Sequence, residues 1–144
     1  MWHEIKTNEQ LEAFLWEVGY FHDSCLKELR YVSGAYVTEK RSMYPINDSR
    51  MLRVIIQRQF DELPVIELEF SGLNYLKLAP NWPYTCEILD ATMLMTDQGI
   101  YWCDWGGLTE EQILSYSGTV ICSEKFRWRA LPSGLGNEEI YQMG

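Results

Sequence analysis

Two histidines occur in the chain, so acid–base and metal chemistry have few places to reside. His22 stands in the run Phe21-His22-Asp23-Ser24, with Cys25 immediately after it. A base, a carboxylate and a hydroxyl are the parts of an activated nucleophile, the base taking the proton and the carboxylate orienting the base. A thiol near an imidazole offers the same chemistry if its pKa is lowered. Adjacency works against both. On an extended chain His22 and Asp23 point to opposite faces, whereas a triad needs three side chains to converge. The structural alternative is that Asp23 or Ser24 caps a turn while His22 satisfies a buried backbone group. Phe21, His22, Asp23 and Ser24 are therefore retained as a functional motif without a catalytic assignment, and an enzyme centred on His22 and Asp23 remains an alternative.

The other residues that could do chemistry are quickly placed. Cys86, Cys103 and Cys122 lie in apolar runs and read as core thiols. Zinc sites use closely spaced ligand pairs, and the four cysteines are scattered singly. Gly106-Gly107 lacks the Lys-Ser/Thr of a phosphate loop. No metal and no cofactor are expected. The most unusual composition is Tyr101-Trp102-Cys103-Asp104-Trp105. As a strand, it sends Tyr101, Cys103 and Trp105 to one face and Trp102 with Asp104 to the other. If one face is exposed, a tryptophan beside a carboxylate makes an anchor for a basic partner or a sugar ring. A helix packed on the outer side would instead cover both faces. Trp82 and Tyr84, in a proline-flanked loop, form a second candidate patch, and Glu110 and Glu111 add carboxylates nearby.

Charge agrees with that reading. The chain carries 21 acidic and 12 basic side chains, a net charge of −9, and no Lys or Arg falls between Leu78 and Glu124. Such a field repels nucleic acid and anionic lipid and attracts a basic protein. The N-terminal residues show no basic stretch leading into an apolar one, and no apolar run approaches the ~20 residues of a membrane span. The expected setting is cytoplasmic.

Several elements must position these residues. Thr7 and Gln10 form a capping box, and Leu11, Phe14, Leu15 and Val18 recur on one helical face, so residues 7–18 read as an amphipathic helix stopped by Gly19. Ser24–Val32 reads as a strand that turns at Ser33-Gly34 into a return strand, Ala35–Thr38. Glu39 to Arg50 reads as the longest exposed loop. Met51–Gln59, Val65–Phe70 and Leu73–Leu78 read as half-buried strands, with Glu67 and Glu69 outward. Cys86–Thr96 and Ile100–Trp105 flank the turn Asp97-Gln98-Gly99. Thr109 and Gln112 repeat the capping box. Thr119–Cys122 and Lys125–Leu131 close the domain, and residues 132–144 are expected to fray. The whole reads as one α+β domain over residues 1–144, mainly an antiparallel β half-barrel or sandwich with the N-terminal helix packed on it.

The string from Gly19 to Leu29, with its Phe-His-Asp-Ser core, resembles the start of small bacterial immunity-type domains of polymorphic toxin systems, such as immunity protein 50. Ile66–Leu73 and Tyr75–Leu78 are similar to later strands of that group. The resemblance implies a non-enzymatic cytoplasmic protein that neutralises a toxin by binding it. A well-formed N-terminal helix and the Trp-rich segment 101–105 depart from the pattern. Two further readings stay open: a small-ligand domain with an aromatic-lined cavity inside the curled sheet, and the enzyme named above. Open sheet edges would also permit a homodimer.

Overall fold

The computed structural model describes residues 1–80 and 85–142. Its elements in chain order are β1 (His3–Ile5), α1 (Asn8–Glu17), a single 3-10 turn (Gly19–Phe21), β2 (Ser24–Val32), β3 (Tyr36–Val37), β4 (Met43–Tyr44), β5 (Met51–Arg58), β6 (Val65–Lys77), β7 (Glu87–Ile88), β8 (Thr92–Thr96), β9 (Gly99–Cys103), α2 (Glu110–Leu114) and β10 (Val120–Ala130). No described helix is long and apolar enough to cross a membrane.

The main sheet is antiparallel throughout and runs β7-β2-β5-β6-β10-β9-β8, with β1 added to the far half of β10. Its two ends, β7 and β8, are joined by only Leu89-Asp90-Ala91. Laid flat, seven strands would separate their outer members by about 29 Å, at ~4.8 Å per neighbour. A three-residue link spans at most about 15 Å. The sheet must therefore curl, and the architecture is an antiparallel half-barrel.

The concave side of the curl is filled by α1. Its start is held by reciprocal bonds, Gln10 N–H to Thr7 Oγ1 at 3.1 Å and Thr7 N–H to Gln10 Oε1 at 3.2 Å. Leu11, Phe14, Leu15 and Val18 are buried together with Phe21, Phe70, Trp102, Phe126 and Trp128. Phe14 lies 5.0–5.8 Å from the rings of Phe21, Phe126 and Trp128, and Phe21 meets Trp102 edge-on at 5.8 Å.

Several expectations are corrected. Tyr36–Val37 does not pair back onto β2. It pairs with Met43–Tyr44, a strand within the expected loop, in a separate two-stranded arm, and β5, with its Val54-Ile55-Ile56 run, pairs along β2 instead. Residues 65–77 form one strand rather than two. Gly72 (φ 64°) continues the chain where a Cβ would stand 2.6 Å from Glu124, and Asn74 is the extra residue of a bulge opposite Cys122 and Ser123. Likewise β10 is a single strand, while the expected strand 86–96 is broken at Leu89–Ala91. β1 carried no readable strand signal.

Glu67 and Glu69 face away from α1 yet are each only 2% exposed. Glu69 receives Arg53 Nε at 3.0 Å and Arg127 Nε at 2.6 Å; Glu67 receives Arg129 Nη2 at 2.7 Å. The Trp2 ring stacks on Arg127 and Arg129 at 4.4 and 4.3 Å. The segment after β10 crosses this face and is pinned rather than frayed. Gln57 Nε2 donates to the carbonyls of Gly134 and Gly136, Ile140 and Tyr141 N–H donate to Glu28 at 2.7 and 2.9 Å, and the Tyr141 hydroxyl donates to Glu67. Burial opposes charge on Glu28, but the two N–H donors and Lys27 outweigh it and hold its carboxyl below the ordinary 4.5.

A depressed folded pKa contributes stability that is present above 4.5 and lost as pH falls through the folded value. Glu28→Ala should therefore lower unfolding stability at neutral pH by about 1.5–3 kcal/mol, the range for hydrogen bonds to a charged group. The difference from wild type should shrink in acid, as urea denaturation at pH 7 and pH 3 would show.

Candidate functional site

Where α1 gives way to β2, the backbone adopts a run of left-handed conformations. Gly19, Tyr20, Phe21 and Asp23 have φ of 59°, 54°, 63° and 52°, with His22 between them at −60°. Glycine accepts this freely, but each of the other three costs roughly 1–2 kcal/mol. The surroundings hold them. Phe21 is fully buried against Phe14 and Trp102. Phe21 and His22 N–H bond back to Val18 and Gly19, and Gln59 N–H donates to the Asp23 carbonyl at 3.1 Å.

This strained corner grips the link between β7 and β8. Ala91 N–H donates to the Tyr20 carbonyl at 2.8 Å, and His22 Nδ1 donates to the Leu89 carbonyl at 2.5 Å. With Nδ1 committed as a donor, Nε2 faces Asp23 Oδ2 at 3.3 Å, and Asp90 Oδ1 lies 3.7 Å from Nδ1. The Leu89 carbonyl first, then Asp23 and Asp90, raise the imidazole pKa above 6.5. So His22 does satisfy a backbone group, though its ring stays at the surface with 53% of the side chain exposed.

The same residues do not form a nucleophile and base. Ser24 Oγ donates to the His22 carbonyl at 3.2 Å, away from the ring. Burial, followed by the neighbouring Cys86 thiol, pushes Cys25 up, away from thiolate. Among the described residues no group of three or more His, Cys, Asp or Glu could hold a metal ion.

Beside this corner opens a groove of about 560 Å³ lined by Tyr20, Leu89, Asp90, Ala91, Trp105 and the two glycines that follow it. Tyr20, Leu89 and Trp105 are 39%, 52% and 52% exposed. Trp105 is held from behind: its carbonyl accepts the Thr92 hydroxyl at 2.6 Å, and the Leu108 N–H donates to that hydroxyl at 3.1 Å. Gly106 lets the loop close on Asp90, since a Cβ there would lie 2.6 Å from Asp90 Cβ. A smaller cavity of about 210 Å³ adjoins, sharing Leu89 and Trp105.

Of the residues singled out from sequence, only Trp105 reaches this groove, with the Phe-His-Asp-Ser motif at its edge. Trp102 is fully buried, so it is no anchor: β9 is paired on both sides and turns Trp102 into the concave core. Asp104 is half-buried and accepts the Tyr116 hydroxyl at 2.5 Å and the Thr119 N–H at 3.2 Å. Burial raises its pKa despite those donors. Tyr101 and Cys103 pack with Ile113 of α2 in a second cluster, so both faces of β9 are covered. The Cys103 thiol is pushed up to about 12 by burial, then by Asp104 and Cys122. Glu110 and Glu111 are exposed in the first turn of α2, outside the groove lining. Trp82 and Tyr84 lie outside the described residues. Tyr20, Leu89 and Asp90 were missed. Gly19 marked a bend, but nothing local announces that residues 70 positions apart will meet.

No family model, no curated protein and no solved structure matches this chain.

A raised folded pKa means that the stability His22 supplies is present below 6.5 and lost as pH rises through the folded value. An NMR titration of the His22 ring should place its midpoint above 6.5, and Asp23→Asn or Asp90→Asn should lower it. A midpoint at or below 6.5 would contradict the clamp.

Proposed function

We propose that this protein is a non-enzymatic, cytoplasmic interaction module that takes a basic protein partner at the Tyr20–Leu89–Trp105 groove. The observation carrying this reading is Trp105 itself: half-exposed, braced by Thr92, and held against Asp90 by Gly106. A Trp face attracts Arg or Lys by about 0.5–2 kcal/mol, and adjacent carboxylates add charge-assisted hydrogen bonds. The absence of Lys and Arg between Leu78 and Glu124 leaves the local field negative and favours fast association with a cationic surface. Strain is a second support, because left-handed non-glycine residues persist where the surroundings over-determine them, and such places are often functional. The resemblance of residues 19–29 to immunity-type domains, whose corner segment borders this groove, favours a toxin as the partner.

The alternatives find less support. The interior of the curl, where the small-ligand reading puts an aromatic-lined cavity, is occupied by α1 and by the rings of Phe70, Trp102 and Phe126. The enzyme reading lacks an activated nucleophile at His22.

The test is a pull-down from native host lysate with wild type, Trp105→Ala and Asp90→Asn, at low and high salt. Wild type should capture one basic protein, less of it at high salt. Trp105→Ala should weaken capture by roughly 30-fold, as for a hot spot of about 2 kcal/mol. Capture that is indifferent to both substitutions would move the partner site elsewhere on the surface.

A further inference from the structure

The arm between β2 and β5 differs from the rest of the molecule in two respects. It exposes Tyr36, Val37, Met43, Tyr44 and Ile46, and none of these joins a buried cluster. An isolated two-stranded ribbon is marginal in water. This one is held by a Tyr36–Tyr44 stack at 5.0 Å, by Tyr44 Oη on Asp48 at 2.8 Å, and by Ser49 and Arg50 N–H on the Ser33 carbonyl. It is also slightly basic within an acidic chain: residues 33–50 carry Lys40, Arg41 and Arg50 against Glu39 and Asp48, so the remainder holds a net −10 (−9 minus +1), and Arg50 is itself paired with Glu124 at 3.4 Å.

The tip sharpens the picture. Arg41 N–H donates to the Thr38 carbonyl at 2.9 Å and Thr38 N–H to the Ser42 carbonyl at 2.8 Å. That is a three-residue hairpin loop whose last residue must be left-handed, a position glycine normally fills. Here it is Arg41, at φ 69°, with its side chain in solvent. A bulky cation thus stands, at a conformational cost, in the tip loop of an arm rich in exposed apolar side chains.

We propose that the arm docks on the Tyr20–Leu89–Trp105 groove of a second copy of this chain, Arg41 stacking on Trp105 and pairing with Asp90. The inference rests on the groove taking cations, as argued above, and names the chain itself as one source of the cation. The charges are complementary. So is the geometry: the groove precedes β2 and the arm follows it, and nine residues of strand separate them by about 30 Å. An arm does not reach its own groove. Two copies lying antiparallel about a two-fold axis bring each arm to the other's groove, which closes the assembly as a dimer rather than a fibre. An arginine is suited to this contact because its planar guanidinium can stack and bridge to a carboxylate at once.

Sedimentation velocity of the full chain over a range of concentrations, at low and high salt, tests this. The expected result is a dimer at low salt that dissociates at high salt. Arg41→Gly, Trp105→Ala and Asp90→Asn should each weaken it by at least roughly tenfold. Arg41→Gly is the decisive variant, because glycine relieves the left-handed backbone and should leave thermal stability equal or higher while the dimer is lost. A dimer that survives Arg41→Gly would overturn the proposal. So would a wild type that is monomeric throughout, whether or not its arm binds an acidic protein or a single-stranded nucleic acid. If that monomer still captured a basic protein through Trp105, the groove reading would stand and self-pairing alone would fall.

Discussion

Three residues, Leu89-Asp90-Ala91, tie together the two ends of a sheet that would otherwise lie open. Their brevity sets the curl, the curl makes the concavity that α1 fills, and the gripping contacts come from the segment that leaves α1. The structure is closed by reciprocal dependence. Tyr20 and His22 can hold Ala91 and Leu89 only because Phe21, between them, is sunk between Phe14 and Trp102. The link in turn keeps the N–H of buried Ala91 paired, and an unpaired buried donor would cost about 1–3 kcal/mol. The left-handed residues of this corner are thus explained by what they connect: no right-handed continuation of α1 would drop Phe21 into the core and leave Tyr20 and His22 beside the link.

What could be read from residues alone follows the range of the interactions involved. Thr7 with Gln10 and Thr109 with Gln112 are pairs three apart, and both capping boxes form as their spacing dictates. The strand from Ser24 to Val32 and the half-barrel class were also legible, because alternation and the scarcity of helices are local or global properties rather than pairings. The misses concern partners distant in sequence. Gly72 looked like a strand end because glycine usually weakens strands; it instead lets β6 pass Glu124 without a break. Glu67 and Glu69 looked outward and solvated, and outward they are, but Arg53, Arg127, Arg129 and the Tyr141 strap come from elsewhere in the chain to cover them. The corner at residues 19–23 shows the same division. Its Phe-His-Asp-Ser motif was visible; that the motif's task is to clasp a carbonyl at Leu89 was not.

The distribution of carboxylates separates framework from surface. On the convex face, burial would push Glu69 towards neutrality, but Arg127 and Arg53 outweigh it and hold its carboxyl low, so the charge is retained and matched. Replacing such a buried pair by apolar side chains is often neutral for stability, whereas removing one partner is not. The arginines of that face are therefore committed to internal pairing and leave little positive potential for the rest of the surface. Among the described residues, Asp23 and Asp90 both make their ion pairs with His22.

His22 consequently has two effects that run in opposite directions with pH. Protonated, it donates to Leu89 and faces both carboxylates, which fastens the link and cancels part of the groove's negative charge. Neutral, it keeps the Nδ1 bond but loses its charge interaction with Asp23 and Asp90, so the link is held less firmly while the groove becomes more attractive to a cation. A bound cation would replace the charge that the imidazole gave up. Clasp and proposed groove therefore share Asp90, and the strained corner is where they are coupled.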